Sequence, residues 1–213
     1  MIKPRAPRGS PPEVDELRPV SPEDWRAIET LFGNKGACGG CWCMYWRVER
    51  GGRTWDAMRG APARSAFRQF VEASKVRAIL AFAASAPVAW VCLGPYEDFP
   101  RLRTVRALLR KRPAGVWSVV CLYILPRFRR HGLGTRLLRA SVEFARSEGA
   151  RVLEGYPVPA RGSMPGAFVW TGVPSMFKQV GFEPLPNPTG GRQIWVHSLG
   201  HSPGSNTGGV ACT

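Results

Sequence analysis

The chain has 213 residues, and its 30 Lys and Arg against 15 Asp and Glu give a formal net charge of +15 at pH 7. A hydrophobic fraction of 44% and a charged fraction of 21% are typical of a globular protein and exclude a disordered chain, a collagen and a coiled coil. No apolar run approaches the ~18 residues of a membrane span, and the N-terminus has no apolar signal-peptide core. The sequence therefore predicts a soluble, cytoplasmic protein without membrane association, and its charge predicts an anionic partner.

The hydrophobic pattern predicts one mixed α/β domain over residues 17–198, between a disordered, basic and Pro-rich arm at 1–16 and a flexible tail at 199–213. In chain order we expect a strand at 17–20, a helix at 22–32, an aperiodic Cys- and Trp-rich stretch at 38–46, a helix at 62–74, a hairpin of strands at 76–83 and 88–93, a basic helix at 101–112, a central strand at 116–125, a helix at 132–147, a strand at 152–156, a helix at 173–180 and a strand at 193–198. Strands interspersed with helices predict a mixed central sheet flanked by helices.

The segment 116–147 carries the clearest functional signal. A buried strand is followed by a glycine-containing turn and then directly by an amphipathic helix. The first backbone N–H groups of a helix have no partner within it and lie at the positive end of its dipole, so this turn is a candidate anion site. Gly132 and Gly134 let a pyrophosphate approach the backbone, and Arg129 and Arg130 add positive charge. An isolated Gly-x-Gly would indicate only a tight turn, and this one is neither a dinucleotide-binding fingerprint nor a P-loop.

The turn and its flanks resemble the GNAT superfamily of acyl-CoA-dependent N-acyltransferases. The run from Arg129 to Gly134 matches the superfamily's Arg/Gln-x-x-Gly-x-Gly/Ala signature, and the run from Met176 to Phe182 is similar to its fourth helix with the terminal Gly-Phe. The resemblance implies a GNAT-like sheet, acetyl-CoA as co-substrate without a metal, and acetyl transfer to a primary amine, most simply that of a small molecule. It implies that the pantetheine arm pairs with the backbone of Leu122 and Ile124. The pyrophosphate would then bind Arg129, Arg130, His131, Gly132, Leu133, Gly134 and Thr135.

Amine acetylation needs a neutral amine, and therefore a group that accepts the amine's proton. Glu154 and Tyr156 lie two residues apart on a predicted strand, so they face the same side, and they are the predicted catalytic residues. A half-buried Glu154 would have a raised pKa suited to a base; the alternative is that it pairs with one of the arginines. Phe177 stands where many members of the superfamily have a tyrosine as general acid. The acid is therefore left open, with three candidates that could lie near the sulfur, Cys121, Tyr123 and Ser175.

The stretch 38–46 leaves two alternatives open. Cys38, Cys41 and Cys43 have metal-like spacing, but a structural zinc site needs four ligands and a second pair is missing. Packed thiols are therefore favoured, and no metal is predicted. Aromatic residues of the same stretch either line an acceptor pocket or form a small satellite core; they are Trp42, Tyr45 and Trp46.

The class of acceptor is open as well. Basic residues at 101–112 form either a solvated helix face or an RNA-contacting face, and because no RNA-binding motif accompanies them, nucleic acid is not the expected partner. A protein amino-group acetyltransferase and a non-catalytic acyl-CoA-binding or RNA- or protein-associated module on the same fold stay as alternatives, and a homodimer is left open. Four carboxylates would make an acceptor pocket acidic if they lined it, those of Glu49, Asp56, Glu97 and Asp98.

Overall fold

The computed structural model of the chain describes residues 12–49, 51–158, 169–187 and 191–200. Its strands are β1 (Glu16–Pro19), β2 (Arg77–Ala83), β3 (Ala86–Pro95), β4 (Val116–Ile124), β5 (Val152–Gly155), β6 (Glu183–Pro184) and β7 (Trp195–Ser198). They form one sheet in the order β1-β2-β3-β4-β5-β7-β6. Neighbours are antiparallel except β4 and β5, which run parallel. The mixed sheet expected from the sequence is confirmed.

The helices are α1 (Trp25–Phe32), α2 (Arg53–Met58), α3 (Ala61–Glu72), α4 (Leu133–Ser147) and α5 (Pro174–Gln179). Short 3₁₀ turns precede α1 and α4 and lie between β3 and β4. Helices cover both faces of the sheet. Successive side chains of a strand point to opposite faces, so the apolar side chains of one strand pack against helices on both sides. In β2, Ile79 packs in one hydrophobic cluster with residues of α4, whereas Leu80 packs in the other with residues of α1 and α3. Within the described ranges, none of the helices is long and apolar enough to cross a bilayer.

The two parallel strands separate at the centre of the sheet. β4 pairs with β5 only over Val116–Val119, and β5 ends at Gly155. On its other edge β4 stays paired with β3 as far as Ile124, with a register shift at Leu93 that leaves Val120 as a bulge. The last residues of β4 therefore have no β5 partner, and their backbone faces a gap in the sheet.

Most predicted elements are present, but the basic helix predicted at 101–112 is wrong. Two 3₁₀ turns, Pro100–Thr104 and Arg106–Leu108, replace it. Leu102 and Leu108 are fully buried, with Val105 halfway between them. Apolar residues spaced by three fit the three-residue repeat of a 3₁₀ helix better than the repeat of an α-helix.

Regular structure and burial begin before the predicted boundary at residue 17. β1 begins at Glu16, and Val14 is buried. Asp15 also donates its N–H to the carbonyl of Phe82. At the other end Leu199 is buried against the sheet. The remainder of the predicted arm, 1–11, and of the predicted tail, 201–213, lies outside the described residues.

Candidate active site

A cavity of about 620 Å³ lies between the end of β4, the turn that precedes α4, and residues 169–179. We call it the glycine-turn cavity. Eight of the nine residues predicted to bind the cofactor line it, and His131 is the one that does not. The eight are Leu122, Ile124, Arg129, Arg130, Gly132, Leu133, Gly134 and Thr135.

The N-terminus of α4 opens into this cavity. Gly132 precedes the helix in a left-handed conformation, with φ of +77°, and no side chain caps the helix. A Cβ added to Gly132 would meet no atom within 4 Å. Because the first N–H groups of a helix have no partner inside the helix, an anion can approach the backbone here without a steric barrier. The geometry fits a phosphate group or another anion.

Two backbone groups at the end of β4 already have partners inside the protein. The Nε of Arg129 donates to the carbonyl of Ile124 at 2.7 Å, so this side chain ties the glycine turn to the strand. The N–H of Leu122 donates to the carbonyl of Trp170 at 2.6 Å. Residues 169–172 thus lie in the gap where the strands separate, and Arg130 is left as the exposed arginine at the turn.

A second cavity, of about 320 Å³, adjoins the first. We call it the aromatic cavity. Five of its lining residues also line the glycine-turn cavity, namely Ala37, Cys38, Leu122, Tyr123 and Trp170. The remaining lining residues are Phe32, Gly39, Cys41, Cys43, Tyr45, Trp55, Arg59 and Cys121. The two cavities therefore meet at the open end of β4.

Tyr45 contacts both tryptophans that line the aromatic cavity, and we call these three side chains its aromatic wall. Its ring lies 5.2 Å from that of Trp55 and 5.2 Å from that of Trp170, nearly perpendicular to both, an edge-to-face arrangement favoured by aromatic quadrupoles. Of the three aromatic residues that the sequence offered for an acceptor pocket, only Tyr45 lines this cavity. Trp42 packs against Trp25 and Phe32 in the core, and the indole of Trp46 is buried with its N–H bonded to the carbonyl of Val120.

The five cysteines within the described ranges are thiols, not disulfides, and lie in or next to the cavity wall. Cys38, Cys41, Cys43 and Cys121 line it, and Cys92 lies opposite Cys121 on the neighbouring strand. A hydrogen bond with Cys121 raises the pKa of Cys43 well above its usual range, as does burial. The buried thiol of Cys43 therefore stays protonated at neutral pH. Within the described residues, no group of three or more His, Cys, Asp or Glu is arranged to hold a metal ion.

Glu154 and Tyr156 lie inside the molecule and line neither cavity. The Oε2 of Glu154 accepts hydrogen bonds from the Nε of Arg112 and the hydroxyl of Tyr156, each at 2.9 Å, and the Tyr156 hydroxyl is 2.8 Å from that of Ser118. Burial, followed by the charge of Glu154, raises the pKa of Tyr156 well above its usual range. The ion pair with an arginine, one of the two alternatives for Glu154, is thus present, and a catalytic role stays a prediction.

Phe177, at the position of the superfamily's usual acid, is fully buried. Its ring packs against that of Phe182 at 4.9 Å and fills the space beside Gly155 and Gly172, where an added Cβ would collide with it. It lines neither cavity. The side chain at this position is therefore part of the core.

The cavities contain no acidic wall. All 15 Asp and Glu of the chain lie among the described residues, and none of them lines either cavity. Asp56 pairs instead with Arg59, at 3.1 Å. The four carboxylates that could have made an acceptor pocket acidic, those of Glu49, Asp56, Glu97 and Asp98, are thus all absent from its lining.

Comparison with known proteins agrees with this geometry. The acetyltransferase (GNAT) family model matches residues 43–157, more than half of the chain. No curated protein matches the sequence significantly.

Among solved structures, the chain is similar to yncA from Salmonella typhimurium, determined with its cofactor acetyl-CoA (14% identity over 92% of this chain and 98% of that one, TM-score 0.52). It is also similar to a GNAT superfamily phosphinothricin acetyltransferase from Sinorhizobium meliloti in complex with acetyl-CoA (16% identity, 87% and 88%, TM-score 0.51). A third similar structure is the GNAT domain of S. lividans PAT (14% identity, 86% and 89%, TM-score 0.52). Identities this low show a shared fold alone. The match to the family model, which includes β4 and the turn at Gly132, shows that the chain belongs to the acetyltransferase (GNAT) family and is an acetyl-CoA-dependent acetyltransferase.

Proposed function

We propose that the enzyme transfers the acetyl group of acetyl-CoA to the primary amine of a small molecule. The observation that carries this proposal is the junction of the two cavities at Leu122, Tyr123 and Trp170. One cavity has the size and the helix N-terminus that a coenzyme requires. The other, at about 320 Å³, is of the size that proteins use for small ligands. A donor and an acceptor bound in these cavities would meet at the end of β4.

The residues around the glycine-turn cavity would hold acetyl-CoA in two places. The N–H groups of the first turn of α4 and the guanidinium of Arg130 would bind the pyrophosphate. The backbone at Leu122 and Ile124 would pair with the pantetheine arm, with the N–H of Leu122 exchanging its bond to the Trp170 carbonyl for a bond to the arm. Acetyl-CoA supplies an acetyl group activated as a thioester.

Tyr123 is the proposed proton donor to the departing thiolate. It lines both cavities and therefore lies where the donor and the acceptor would meet. Burial raises the pKa of its phenol, so the hydroxyl is protonated at neutral pH and can donate. This assignment supplies the acid that Phe177 cannot provide.

The proton of the acceptor amine has no carboxylate to go to within either cavity. Glu154 is the sequence-based candidate for the base, but its carboxylate is fully buried and already paired with Arg112. We therefore propose that Glu154 has a structural role and that the acceptor amine loses its proton to water.

The proposal is tested by mixing the purified enzyme with acetyl-CoA and a panel of primary amines, measuring released thiol and identifying acetylated amines by mass spectrometry. We expect thiol release that depends on the amine and matches the acetylated product in amount. Thiol release with no acetylated amine from any member of the panel would overturn the proposal.

A further inference from the structure

The aromatic cavity has an electrostatic character that discriminates between classes of amine. No Asp or Glu lines it, and the residues outside the described ranges contain none by sequence. Arg59 is the charged side chain among its lining residues. The carboxylate of Asp56 does not line the cavity and is paired with Arg59 at 3.1 Å, so a cationic ligand would find no unpaired carboxylate in the lining.

Further positive charge stands directly behind the aromatic rings. The guanidinium of Arg101 lies 3.8 Å from the ring centroid of Tyr45, and that of Arg192 lies 5.7 Å from that of Trp170. Among the described residues neither arginine forms a salt bridge. Burial lowers the pKa of Arg192, as expected for a cation held away from water. A cationic ligand on the cavity side of these rings would therefore have a guanidinium on their opposite side, and the repulsion between the two charges opposes the cation–π attraction of the ring.

These features disfavour binding of an alkylammonium ion in the aromatic cavity. An aliphatic amine, with a pKa of ~10.4, is almost entirely charged at pH 7. Entering the cavity would cost it its hydration, and it would face guanidinium groups rather than a carboxylate. An aromatic amine is uncharged at pH 7 because its lone pair is delocalised into the ring, and its flat ring can pack against Tyr45, Trp55 and Trp170.

We propose that the acceptor is an aromatic amine, uncharged at neutral pH, bound with its ring against the wall formed by Tyr45, Trp55 and Trp170. This inference rests on the proposed function. It also accounts for the absence of a base from the described lining: a neutral amine attacks without prior loss of a proton, and water takes the proton afterwards.

Aniline and cyclohexylamine provide a matched test, because they are similar in size and differ in charge at pH 7. We expect kcat/KM for aniline to exceed that for cyclohexylamine about 100-fold at pH 7, and the ratio to shrink as the pH rises and cyclohexylamine loses its proton. Spermidine, a polycation, is expected to be the poorest of the three. If cyclohexylamine or spermidine is preferred, the inference is overturned while the proposed function stands; if no amine at all is acetylated, the proposed function itself fails.

A charge introduced at the wall separates the effect of the cavity from the intrinsic reactivity of the amines. Trp55→Glu places a carboxylate at the wall, and Trp55→Gln places a neutral side chain of the same shape there. At one pH we expect kcat/KM for cyclohexylamine to be about tenfold higher in Trp55→Glu than in Trp55→Gln, with equal values for aniline. The shift in melting temperature on adding coenzyme A shows that both variants are folded. Equal kcat/KM values for cyclohexylamine in the two folded variants would overturn the inference, because the charge of the cavity lining would then have no influence on a cationic amine.

Discussion

At the scale of single residues, the two glycines of the turn have different surroundings. Gly132 has a φ of +77° and open space beside it, whereas a Cβ on Gly134 would come 2.6 Å from the terminal methyl of Met176. The end of a methionine side chain moves at little cost. Position 134 therefore accepts a small side chain in the folded protein, and a substitution there can test the role of charge at the turn.

Gly134→Asp is expected to abolish acetyl-CoA binding, because it places a negative charge at the proposed pyrophosphate site. Gly134→Ala, which adds a methyl group and no charge, is the control and should bind within about tenfold of the native affinity, equivalent to 1.4 kcal/mol. Isothermal titration with acetyl-CoA measures both affinities. Equal losses in the two variants would contradict the placement of the pyrophosphate.

Glu154→Gln is expected to act on stability rather than on chemistry. Glu154 is fully buried and the side chain of Arg112 is 4% exposed, so Glu154→Gln leaves the guanidinium of Arg112 without its carboxylate partner in the interior. Such losses cost about 3–5 kcal/mol of unfolding free energy, which denaturant titration measures. Arg112→Gln should cost less, because the guanidinium of Arg110 lies 3.9 Å from the other oxygen of Glu154.

The kinetics of Glu154→Gln decide between its two roles. If Glu154 only pairs with Arg112 in the interior, the kcat of folded Glu154→Gln should stay close to the native value. A base at this position would instead lower kcat by roughly 10²–10⁴-fold, and the loss would shrink at high pH, where more of a basic acceptor amine is already neutral.

Tyr123→Phe should lower kcat by about 10²-fold, because it removes the proposed proton donor and keeps the ring. Phe177→Tyr should bring no gain in rate, since position 177 is buried in the core and lines neither cavity. A hydroxyl buried there without a partner costs about 1–3 kcal/mol. A faster Phe177→Tyr enzyme, or a Tyr123→Phe enzyme with native kcat, would contradict the role given to Tyr123.

At the scale of elements, the loop between α1 and α2 shapes the aromatic cavity. Ala37, Trp42 and Cys43 all have positive φ in this loop, a conformation that is strained for residues other than glycine. Trp42 is fixed between Trp25 and Phe32, with ring centroids 5.9 and 5.8 Å away. The strained backbone of the loop is therefore held in place by aromatic packing in the core.

Gly36 and Gly39 form a matched pair for testing this loop. Their φ values are +57° and +58°, but an added Cβ collides with the indole of Trp42 at Gly36 and meets nothing within 4 Å at Gly39. Both alanine variants carry the backbone cost of about 1–2 kcal/mol. Gly36→Ala should also raise KM for the acceptor several-fold and by more than Gly39→Ala, which adds a methyl group to the cavity lining but displaces no neighbour; the Kd for acetyl-CoA should be unchanged in both. A native KM in Gly36→Ala would show that the loop does not shape the acceptor cavity.

Local patterns were enough to predict most of the elements and the strand–turn–helix unit at which the coenzyme is proposed to bind. The strand, turn and helix around Gly132 are contiguous in the chain, and the amphipathic period of α4 is read directly from its residues. The prediction at 101–112 failed because charge and composition alone favoured an α-helix there. The spacing of Leu102 and Leu108, which is the signal for 3₁₀ turns, was available in the sequence.

The acceptor side depends on contacts between distant parts of the chain. The rings of Tyr45, Trp55 and Trp170 contact one another only through the tertiary structure, and no spacing in the sequence relates these three residues. The same holds for Glu154, whose partner Arg112 is 42 residues away. With many arginines available, the sequence indicated that such a pair could form but not which residue would form it.

At the scale of the whole molecule, the net charge of +15 is not simply a property of the surface. Arg112 is buried beside Glu154, while Arg101 and Arg192 stack on the rings behind the aromatic cavity. Two of these three, Arg101 and Arg112, belong to the segment considered for RNA contact. Their structural roles reduce the support for a nucleic-acid surface.

The interior also holds titratable groups whose pKa values are higher in the folded protein than in the unfolded chain. A hydrogen bond with Cys43, together with burial, raises the pKa of Cys92 well above its usual range, and burial raises that of Tyr156. In the unfolded chain these groups ionise near ~8.5 and ~10. Above those values the unfolded state binds fewer protons than the folded state, so stability falls as the pH rises.

We therefore expect the unfolding free energy to be constant up to about pH 8.5 and to fall above it, with a slope of up to about 1.4 kcal/mol per pH unit for each such group. Urea titrations between pH 7 and 10.5, with reductant to keep the thiols free, measure this slope. Cys92→Ala removes one titrating group and should give a shallower slope between pH 8.5 and 10, whatever its stability at pH 7. Arginine cannot produce the effect, because its guanidinium stays protonated throughout this range. An unfolding free energy that stays level to pH 10 would mean that the buried thiols ionise as readily in the folded protein as in the unfolded chain.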